Sequence, residues 1–441
     1  MGENGKNRAA GGRAAQTDLR GKVTVVIPNY NGIRYIADCL DALLAGTALP
    51  RLIVVDNGSA DGSFELVRDR YPQVTLLRLR ANTGFCHAVN SGLRIARTRY
   101  VILLNNDTRA DMGFVQALYE AIAQCGRAFS ASAKMLSMKD PEVIDDAGDL
   151  YCALGWAFAR GKAQSRDRYT RGDAVFSACG GAAIYRREVF EKIGYFDERH
   201  FCYLEDVDIG WRAMLHGYRN IYAPQAIVYH AGSASSGAVH NPFKELMTAG
   251  NNAYLLYKNM PPFQYALNRP LIALGVHIKR AYFARKGLGA SYEAGLARGE
   301  ALIARARAEE AERRAGRMPA RGSIWEEAGL GEQTAGGAAQ APTGAGAASG
   351  VSGDAGRAAG IGGTAQAPTG AGAASGVSGG AGRAAGIGGA RQTAGPREPQ
   401  DGAPVHPLYL GGRVPFSLLR LPYYLKIQGM LWANCIRRLR G

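Results

Sequence analysis

Four short apolar runs, separated by amphipathic stretches, dominate the first hundred residues of the chain. Each run is nearly all apolar, as strands are when both faces of a sheet are covered, and the runs occupy residues 23–27, 52–55, 74–79 and 100–104. The stretches between them have the apolar spacing of helices, which we expect near residues 33–45, 62–70 and 84–97. This alternation predicts an α/β fold with a mostly parallel, Rossmann-like central sheet flanked by helices.

The pattern becomes less regular further along the chain. Residues 129–260 mix short strands, glycine-rich turns and at least one helix, and we expect them to complete the sheet and to form the other wall of a cleft. Residues 277–316 carry Ala, Leu and Ile spaced among Arg and Glu, which predicts a long charged helix or a helix pair.

Glycine is concentrated late in the sequence. Many of the 59 glycines among 441 residues follow residue 329, and residues 341–366 recur almost unchanged as residues 367–392. A Gly/Ala segment buries too little apolar area to offset the entropy of ordering it. We therefore predict a disordered linker over residues 329–404 that contains a duplication.

A net charge of +16 favours anionic partners, which include nucleic acid, lipid headgroups and phosphorylated substrates. The part of the chain expected to be ordered lacks the basic and aromatic motifs typical of nucleic-acid binding, so we expect no nucleic-acid partner. The seven cysteines form no CxxC pair, which favours a reducing compartment. No signal peptide or spanning segment is evident, so we expect a cytoplasmic protein.

The C-terminal segment, residues 405–441, combines apolar and aromatic residues with basic ones. One interpretation is an interfacial segment in peripheral contact with an anionic membrane at its inner face. The alternative is a helix that docks on the main domain, and Pro415 and Pro422 are expected to interrupt any single helix there.

Polar residues follow each of the four predicted strands. The loops contain Asn29 after the first strand, Asp56 after the second, Asn82 after the third and Asn105 after the fourth. Each loop alone could be an ordinary turn or helix cap. Because ligands of open α/β sheets bind beyond the carboxyl ends of the strands, the four loops together predict a nucleotide site.

The order and spacing of eleven short segments extend this pattern across residues 23–260. The segments are 25–31 (VVIPNYN), 55–63 (VDNGSADGS), 82–85 (NTGF), 90–93 (NSGL), 103–107 (LLNND), 180–182 (GGA), 194–198 (GYFDE), 205–208 (EDVD), 211–212 (WR), 217–218 (GY) and 228–230 (VYH). With these segments the sequence resembles the family 2 inverting glycosyltransferases, in particular their rhamnosyltransferase-like branch. The resemblance implies the GT-A fold.

The resemblance also implies a nucleotide pocket and a metal site. In the pocket, Asp56 would accept a hydrogen bond from the base, Pro28 and Tyr30 would form the wall, and Asn82 and Asn105 would face the ribose and diphosphate. In the metal site, Asp107 and His230 would bind a divalent cation, Mn²⁺ or Mg²⁺. The family's usual pair of carboxylates is reduced here to Asp107 alone.

The same resemblance implies that Asp206 is the catalytic base and that Glu205 positions it or touches the acceptor. An acceptor hydroxyl is too weak an acid to attack unaided, so a carboxylate must take its proton. From the residues alone, the acidic cluster with Asp208 could simply be a helix start facing the helix dipole.

Trp211 and Arg212 could contact a sugar or phosphate, or could be ordinary structural residues.

The implied function is transfer of a sugar, with dTDP-rhamnose as the first choice of donor, to a hydroxyl of a lipid-linked glycan or polysaccharide. A catalytically inactive, nucleotide-sugar-binding scaffold in a polysaccharide assembly complex is the alternative. We expect a disordered basic N-terminus over residues 1–21, the GT-A domain over 22–265 and a helical extension over 266–328, followed by the linker and the basic amphipathic C-terminal segment.

Overall fold

The computed structural model describes residues 16–232, 240–317, 413–414 and 416–439. The strands, in chain order, are β1 (Thr17–Asp18), β2 (Val23–Asn29), β3 (Ala48–Leu49), β4 (Arg51–Asp56), β5 (Thr75–Arg78), β6 (Tyr100–Leu104), β7 (Thr108–Ala110), β8 (Ala128–Ser137), β9 (Ile144–Asp146), β10 (Asp149–Cys152), β11 (Trp156–Ala159), β12 (Asp173–Val175), β13 (Ala182–Arg186) and β14 (Arg219–His230). The α-helices are α1 (Ile36–Ala45), α2 (Ser63–Arg70), α3 (Phe85–Ile95), α4 (Phe114–Gln124), α5 (Arg187–Ile193), α6 (Glu205–Leu215), α7 (Pro242–Asn259), α8 (Pro262–Arg285), α9 (Gly289–Arg314) and α10 (Leu421–Leu439).

The central sheet has the order β12-β14-β8-β13-β6-β2-β4-β5, with β7 and β9 paired to β14 and β8. Strands β6, β2, β4 and β5 are parallel to one another, and β13 runs antiparallel between β6 and β8. The mostly parallel α/β sheet predicted from the sequence is therefore confirmed. Strands from the second half of the chain complete the same sheet, as expected.

Helices cover both faces of this sheet because the strands carry apolar side chains on both faces. On β2, Val25 and Ile27 join one core with α1 and α4, whereas Val26 joins a second core with α3, α5 and α6. Successive side chains of a strand point to opposite faces, so one short strand contributes to both cores. The polar loops follow the carboxyl ends of the parallel strands, at one edge of the sheet.

The first three helices lie where the apolar spacing predicts them, and the predicted helix pair is also present. Its first helix, α8, begins at Pro262, so the expected boundary between residues 265 and 266 lies inside a helix. The second, α9, packs against α7. The predicted linker over residues 329–404 lies outside the described residues.

Order begins earlier in the chain than expected. Strand β1 pairs in parallel with β3, and Leu19 is buried in the main core. Residues 16–21 therefore belong to the folded unit, because one buried leucine and two ladder positions tie them to it. Residues 1–15 of the expected disordered N-terminus lie outside the described residues.

The C-terminal helix α10 packs on the main domain, which was the second of the two interpretations. Tyr424, Ile427 and Leu431 join a third core with α6, α7 and β10. The expected interruption at Pro422 is wrong, because this proline lies in the first turn of α10, where no helical N–H bond is lost. Pro415 lies outside the described residues. Within the described ranges, no helix is long and apolar enough to span a bilayer.

A buried charge cluster joins α6 and α7. Lys258 Nζ on α7 donates to Asp208 Oδ2 on α6 at 2.9 Å and to Asp197 Oδ2 at 2.8 Å. Arg212, one turn after Asp208, forms a second ion pair with it at 2.9 Å. Burial opposes ionisation of both carboxyls, but the attraction of Lys258, together with Arg212 at Asp208 and Arg199 at Asp197, holds both pKa values well below the usual range.

We predict that Lys258→Met lowers the free energy of unfolding by about 3–5 kcal/mol, because it removes the cation shared by two buried carboxylates. Denaturant unfolding of the full chain measures this. Arg280→Met is the matched control, because Arg280 forms an exposed pair with Glu293 that should contribute at most about 1 kcal/mol. Equal losses for the two variants would contradict a structural role for the cluster.

Candidate active site

A hydrogen-bond chain joins the loops after β2, β4 and β6. Asn29 Nδ2 donates to Asp56 Oδ1 at 3.2 Å, and Asn106 Nδ2 donates to Asn29 Oδ1 at 2.7 Å. Asn29 and Asp56 are fully buried and Asn106 nearly so. The chain thus holds three strand ends together at the edge where the sequence predicts a nucleotide site, and it uses Asn106 as a structural link.

Asp56 lies at this edge, but its carboxylate faces its own loop. Besides the bond from Asn29, Asp56 Oδ2 accepts from the backbone N–H of Ser59 at 3.1 Å. The exposed Arg78 lies 3.8 Å from the same oxygen. The expected bond from Asp56 to a base therefore stays a prediction that requires the covering loop or Arg78 to move.

The other predicted nucleotide residues lie around the same edge. Pro28 is half-buried and Tyr30 is 43% exposed after β2. Asn82 Oδ1 accepts from Asn57 Nδ2 at 3.1 Å and from the N–H of Gly84 at 3.0 Å, so it shapes the loop before α3.

Asp107 and His230 are neighbours. Residues 228–230 of β14 pair with β7, which begins directly after Asp107, and His230 Nε2 lies 3.3 Å from Asp107 Oδ1. On its other side, His230 Nδ1 lies 2.7 Å from Asp145 Oδ2. Burial alone would lower the pKa of His230, but the hydrogen bonds to Asp107 and Asp145 raise it to about 9.

This arrangement fits a divalent cation. Metal-binding histidines commonly bond a carboxylate through the second ring nitrogen, which fixes the ring, and Asp145 occupies that position here. One carboxylate oxygen and one imidazole nitrogen form a donor set that suits Mn²⁺. Asp145 gave no sequence signal of its own, because its partner lies 85 residues away.

A second cluster of side chains that could bind a metal begins at the residue after Asp145. Ligand atoms of Asp146, Asp149 and Cys179 all lie within 4.8 Å of one another. Burial raises the pKa of both carboxyls and of the thiol, and their mutual repulsion adds to this rise. These groups therefore favour their neutral, protonated forms.

Asp206 lies in the first turn of α6, beside the loop before β13. Its Oδ2 accepts from the N–H of Gly180 at 3.0 Å and its Oδ1 from the N–H of Val207 at 2.8 Å. Next to Gly180, Gly181 O accepts from the N–H of Asn105 at 2.9 Å. A Cβ on Gly181 would lie 3.1 Å from Asn105 Nδ2, so the two strand ends approach closely there. This short path joins Asp206 to the loop that carries Asp107.

Backbone strain precedes Asp206. Phe201, Tyr203 and Leu204 all have positive φ, near +62°, +72° and +66°, which non-glycine residues rarely adopt. Asn251 on α7 stabilises this loop, since its Nδ2 donates to the carbonyls of His200, Cys202 and Tyr203 at 2.8–2.9 Å. The strained loop fixes where α6 begins, and Asn251 is a positioning residue that sequence reasoning missed.

Asp149 also reaches Asp206. Burial, followed by repulsion from Asp146 and Asp206, raises the pKa of Asp149 well above its usual value, and a hydrogen bond between the Asp149 and Asp206 carboxyls adds to this rise and lowers the pKa of Asp206. Burial nonetheless keeps the pKa of Asp206 above its usual value. Glu205 is buried beside them, and its Oε2 has no hydrogen-bond partner among the residues that the structure describes. Burial, followed by repulsion from Asp206, raises its pKa strongly.

Three residues of the same region are structural. Asp208 belongs to the buried charge cluster and points away from Asp206 into contacts with Lys258 and Arg212. Arg212 also donates to the carbonyls of residues 193–195, and Trp211 is fully buried in the third core. Neither Trp211 nor Arg212 can contact a sugar or phosphate while it is buried in this way.

Residues 24–194 match the family model described as glycosyl transferase family 2. The N-acetylglucosaminyl-diphospho-decaprenol L-rhamnosyltransferase of Mycobacterium tuberculosis is 29% identical over 255 residues, covering 52% of this chain and 82% of that protein. O-antigen chain rhamnosyltransferase RfbN of Salmonella typhimurium is 27% identical over 221 residues, covering 48% of this chain and 66% of that protein. The solved mannosyltransferase PcManGT from Pyrobaculum calidifontis, in complex with GDP-Man and Mn²⁺, has 19% identity and a TM-score of 0.42, covering 65% of this chain and 89% of that one.

The resemblance inferred from the motifs is thereby confirmed, since the family match begins at the first sheet strand and ends directly after α5. The strand order adds the mostly parallel sheet of the GT-A fold, with polar loops at its carboxyl edge. Residues 24–194 therefore form a glycosyl transferase family 2 domain within a GT-A-like fold, and the protein is a glycosyltransferase.

Proposed function

We propose that the protein transfers rhamnose from dTDP-rhamnose, by a single displacement with inversion, to a hydroxyl of a lipid-linked glycan at the inner, anionic face of a membrane. The observation that carries this proposal is the short path from Asp206 through Gly180 and Gly181 to the loop of Asp107. It brings a candidate base and a candidate cation site to one edge of the sheet. The choice of sugar and acceptor is supported by the relatives whose names specify rhamnose transfer and a decaprenol-linked acceptor.

Asp206 would take the proton of the acceptor hydroxyl as the new bond forms. The N–H groups of Gly180 and Val207 hold its two oxygens, so the carboxylate is oriented before the acceptor arrives. Its raised pKa makes it a stronger base than an exposed aspartate. Glu205, whose Oε2 has no partner within the described part of the chain, would donate to the acceptor from its protonated form.

Asp107 and His230 would hold a divalent cation, with Mn²⁺ preferred to Mg²⁺. When bound, the cation neutralises charge that develops on the departing nucleotide diphosphate. Asp145 keeps the imidazole ring of His230 oriented toward Asp107. Pro28, Tyr30, Asn82 and Asn105 would surround the nucleotide, and Asp56 would reach the base after the adjustment described above.

An inactive scaffold that binds nucleotide sugars is the second candidate. Asn106 favours it, because this residue is committed to Asn29 and leaves Asp107 as the only carboxylate of residues 105–107. Titration with dTDP and Mn²⁺, followed by an assay for transfer to a polyprenyl-diphosphate-linked acceptor, separates the two functions. Binding without turnover on any lipid-linked acceptor would favour the scaffold.

We predict that Asp206→Asn lowers the transfer rate by about 10²–10⁴-fold, because the amide cannot accept the hydroxyl proton. Binding of dTDP with Mn²⁺, measured by calorimetry, should stay close to that of the unaltered protein. Asp167→Asn removes an equivalent charge from an exposed loop and serves as the control. More than a few per cent of residual transfer would mean that the base lies elsewhere.

Asp149 gives a prediction about pH. Transfer requires deprotonated Asp206, so kcat/KM should rise with pH through the raised pKa of this group. Asp149→Ala removes the hydrogen bond that favours the carboxylate, so the acid limb of the profile should move to higher pH. Asp149→Asn can still donate a hydrogen bond and should leave the limb nearly in place. Identical profiles for the Ala variant and the unaltered protein would exclude this positioning role.

Asp145 tests the cation site. We predict that Asp145→Ala weakens Mn²⁺-dependent binding of dTDP by about 10–100-fold, because His230 loses the partner that orients its ring. Calorimetric titrations with and without EDTA measure the effect, and Asp167→Ala is the control. If the loss also appears in EDTA, Asp145 acts on the fold or the nucleotide pocket instead.

A further inference from the structure

Exposed large apolar side chains are concentrated on two helices. Eighteen such side chains are exposed among the described residues, and most of them belong to α8 or to the segment 416–436. On α8 and the adjoining C-terminal segment they are Phe263, Tyr265, Leu267, Leu271, Leu274, Ile278, Tyr282, Phe416, Leu418, Leu419, Leu421, Leu425, Trp432 and Ile436. A patch of this extent is unusual on a soluble surface and marks an interaction site.

The exposed residues of α8 form one stripe. Positions 263, 267, 271, 274, 278 and 282 are three or four residues apart, which places them along one side of the helix. The neighbouring stripe, with Gln264, Asn268 and Ile272, is buried. The helix therefore uses one side to pack on the domain and leaves an apolar side uncovered.

Contacts between α8 and α10 join their exposed residues into one surface. The side chains of Asn268 and Gln428 exchange two hydrogen bonds of 2.8 and 2.9 Å. Trp432 Nε1 donates to Asn268 Oδ1 at 3.1 Å while 46% of the residue stays exposed. Phe263 of α8 packs edge-on against Phe416, with ring centroids 5.6 Å apart. We call this surface, formed by the exposed apolar residues of α8 and of residues 416–436, the α8–α10 face.

The net positive charge of α8 and α10 favours an anionic partner. Neither α8 nor α10 contains an aspartate or glutamate. Their basic residues are Arg269, Lys279, Arg280 and Arg285 on α8 and Lys426, Arg437 and Arg438 on α10. By contrast α9, which packs against both α7 and α8, carries five glutamates. The two helices that carry the exposed apolar residues are therefore also the ones without acidic side chains.

We propose that the α8–α10 face docks on an anionic lipid bilayer, with its leucines and aromatic rings in the interfacial region and its Arg and Lys side chains at the headgroups. The tyrosines and Trp432 suit this depth because each ring combines an apolar body with a polar group. Since no helix in the described ranges can span a bilayer, the face lies on the membrane surface.

Docking of this face on a membrane would bring the enzyme to a lipid-linked acceptor. This role of the face rests on the proposed function. Strand β10 begins at Asp149, whose carboxyl contacts Asp206, and ends at Cys152. The next residue, Ala153, donates its N–H to the carbonyl of Leu431 on α10. Three strand residues span roughly 10 Å, and the exposed side of α10 lies about one helix diameter, roughly 10 Å, beyond the buried Leu431. An acceptor that extends over this distance could reach the candidate base while its lipid remains in the bilayer.

The test is co-sedimentation of the full chain with phosphatidylcholine vesicles, with and without phosphatidylglycerol. The unaltered protein should bind the anionic vesicles, bind the neutral ones at least about tenfold more weakly, and be released by high salt. The double variant Leu267→Glu/Leu271→Glu on α8 should lower the partition coefficient by about tenfold or more, and so should Leu418→Glu/Leu425→Glu on the C-terminal segment. Met112→Glu/Ala304→Glu adds the same charge at exposed sites elsewhere and should change binding little.

Nucleotide binding, sugar transfer and oligomeric state separate this proposal from its alternatives. Calorimetry with dTDP and Mn²⁺ should give the same affinity for all variants, so loss of vesicle binding with retained nucleotide binding supports the face. Vesicle binding without any sugar transfer would overturn the proposed function and leave the docking surface standing. Absent or salt-insensitive vesicle binding, or double variants that bind as well as the unaltered protein, would overturn the docking proposal. A stable dimer that the Leu267→Glu/Leu271→Glu variant converts to monomer, with no vesicle binding, would show instead that a second copy covers the face.

Discussion

The buried ion pairs of Lys258 with Asp197 and Asp208 are the interactions on which the candidate active site depends. Charges removed from water carry a large desolvation cost, and these ones are stabilised only because cation and carboxylates meet in one place. That requirement fixes α6 against α7. Asp206 lies two residues before Asp208 on α6, so its position follows from a cluster that it does not join.

The strained loop before α6 has the same dependence. Three non-glycine residues with positive φ, at positions 201, 203 and 204, would relax in an isolated peptide. Asn251 and Lys258, both on α7, hold the loop and helix α6 from the same side. Helix α7 therefore stabilises an unfavourable backbone that aims Asp206 at Gly180. The sheet supplies the opposite half of the crevice through the carboxyl ends of its parallel strands, and the hydrogen bonds of Asn29 keep those ends together.

Much of this fold could be predicted from the sequence, because strand and helix positions follow from local apolar periodicity. The parallel strands and the first three helices lie close to their predicted bounds, and the juxtaposition of Asp107 and His230 agrees with the family motifs. Contacts distant in sequence could not be predicted in the same way. Asp145, Asp149 and Asn251 acquire their importance only through partners at positions 230, 206 and 200–203. Asp208 looked like part of an acidic helix start, and nothing local distinguishes a carboxylate that faces Lys258 from one that faces solvent. The docking of α10 depends likewise on a core whose residues come from several segments that are distant in sequence.

The central claim is that the loop of Asp107 and the first turn of α6 form one crevice around a nucleotide diphosphate. The most direct measurement is anomalous X-ray diffraction from crystals of the protein grown with dTDP and Mn²⁺. We expect a manganese peak bonded to Asp107 and His230, with the diphosphate between it and Asp206. A peak in the Asp146, Asp149 and Cys179 cluster, or a diphosphate on a surface remote from Asp206, would contradict it.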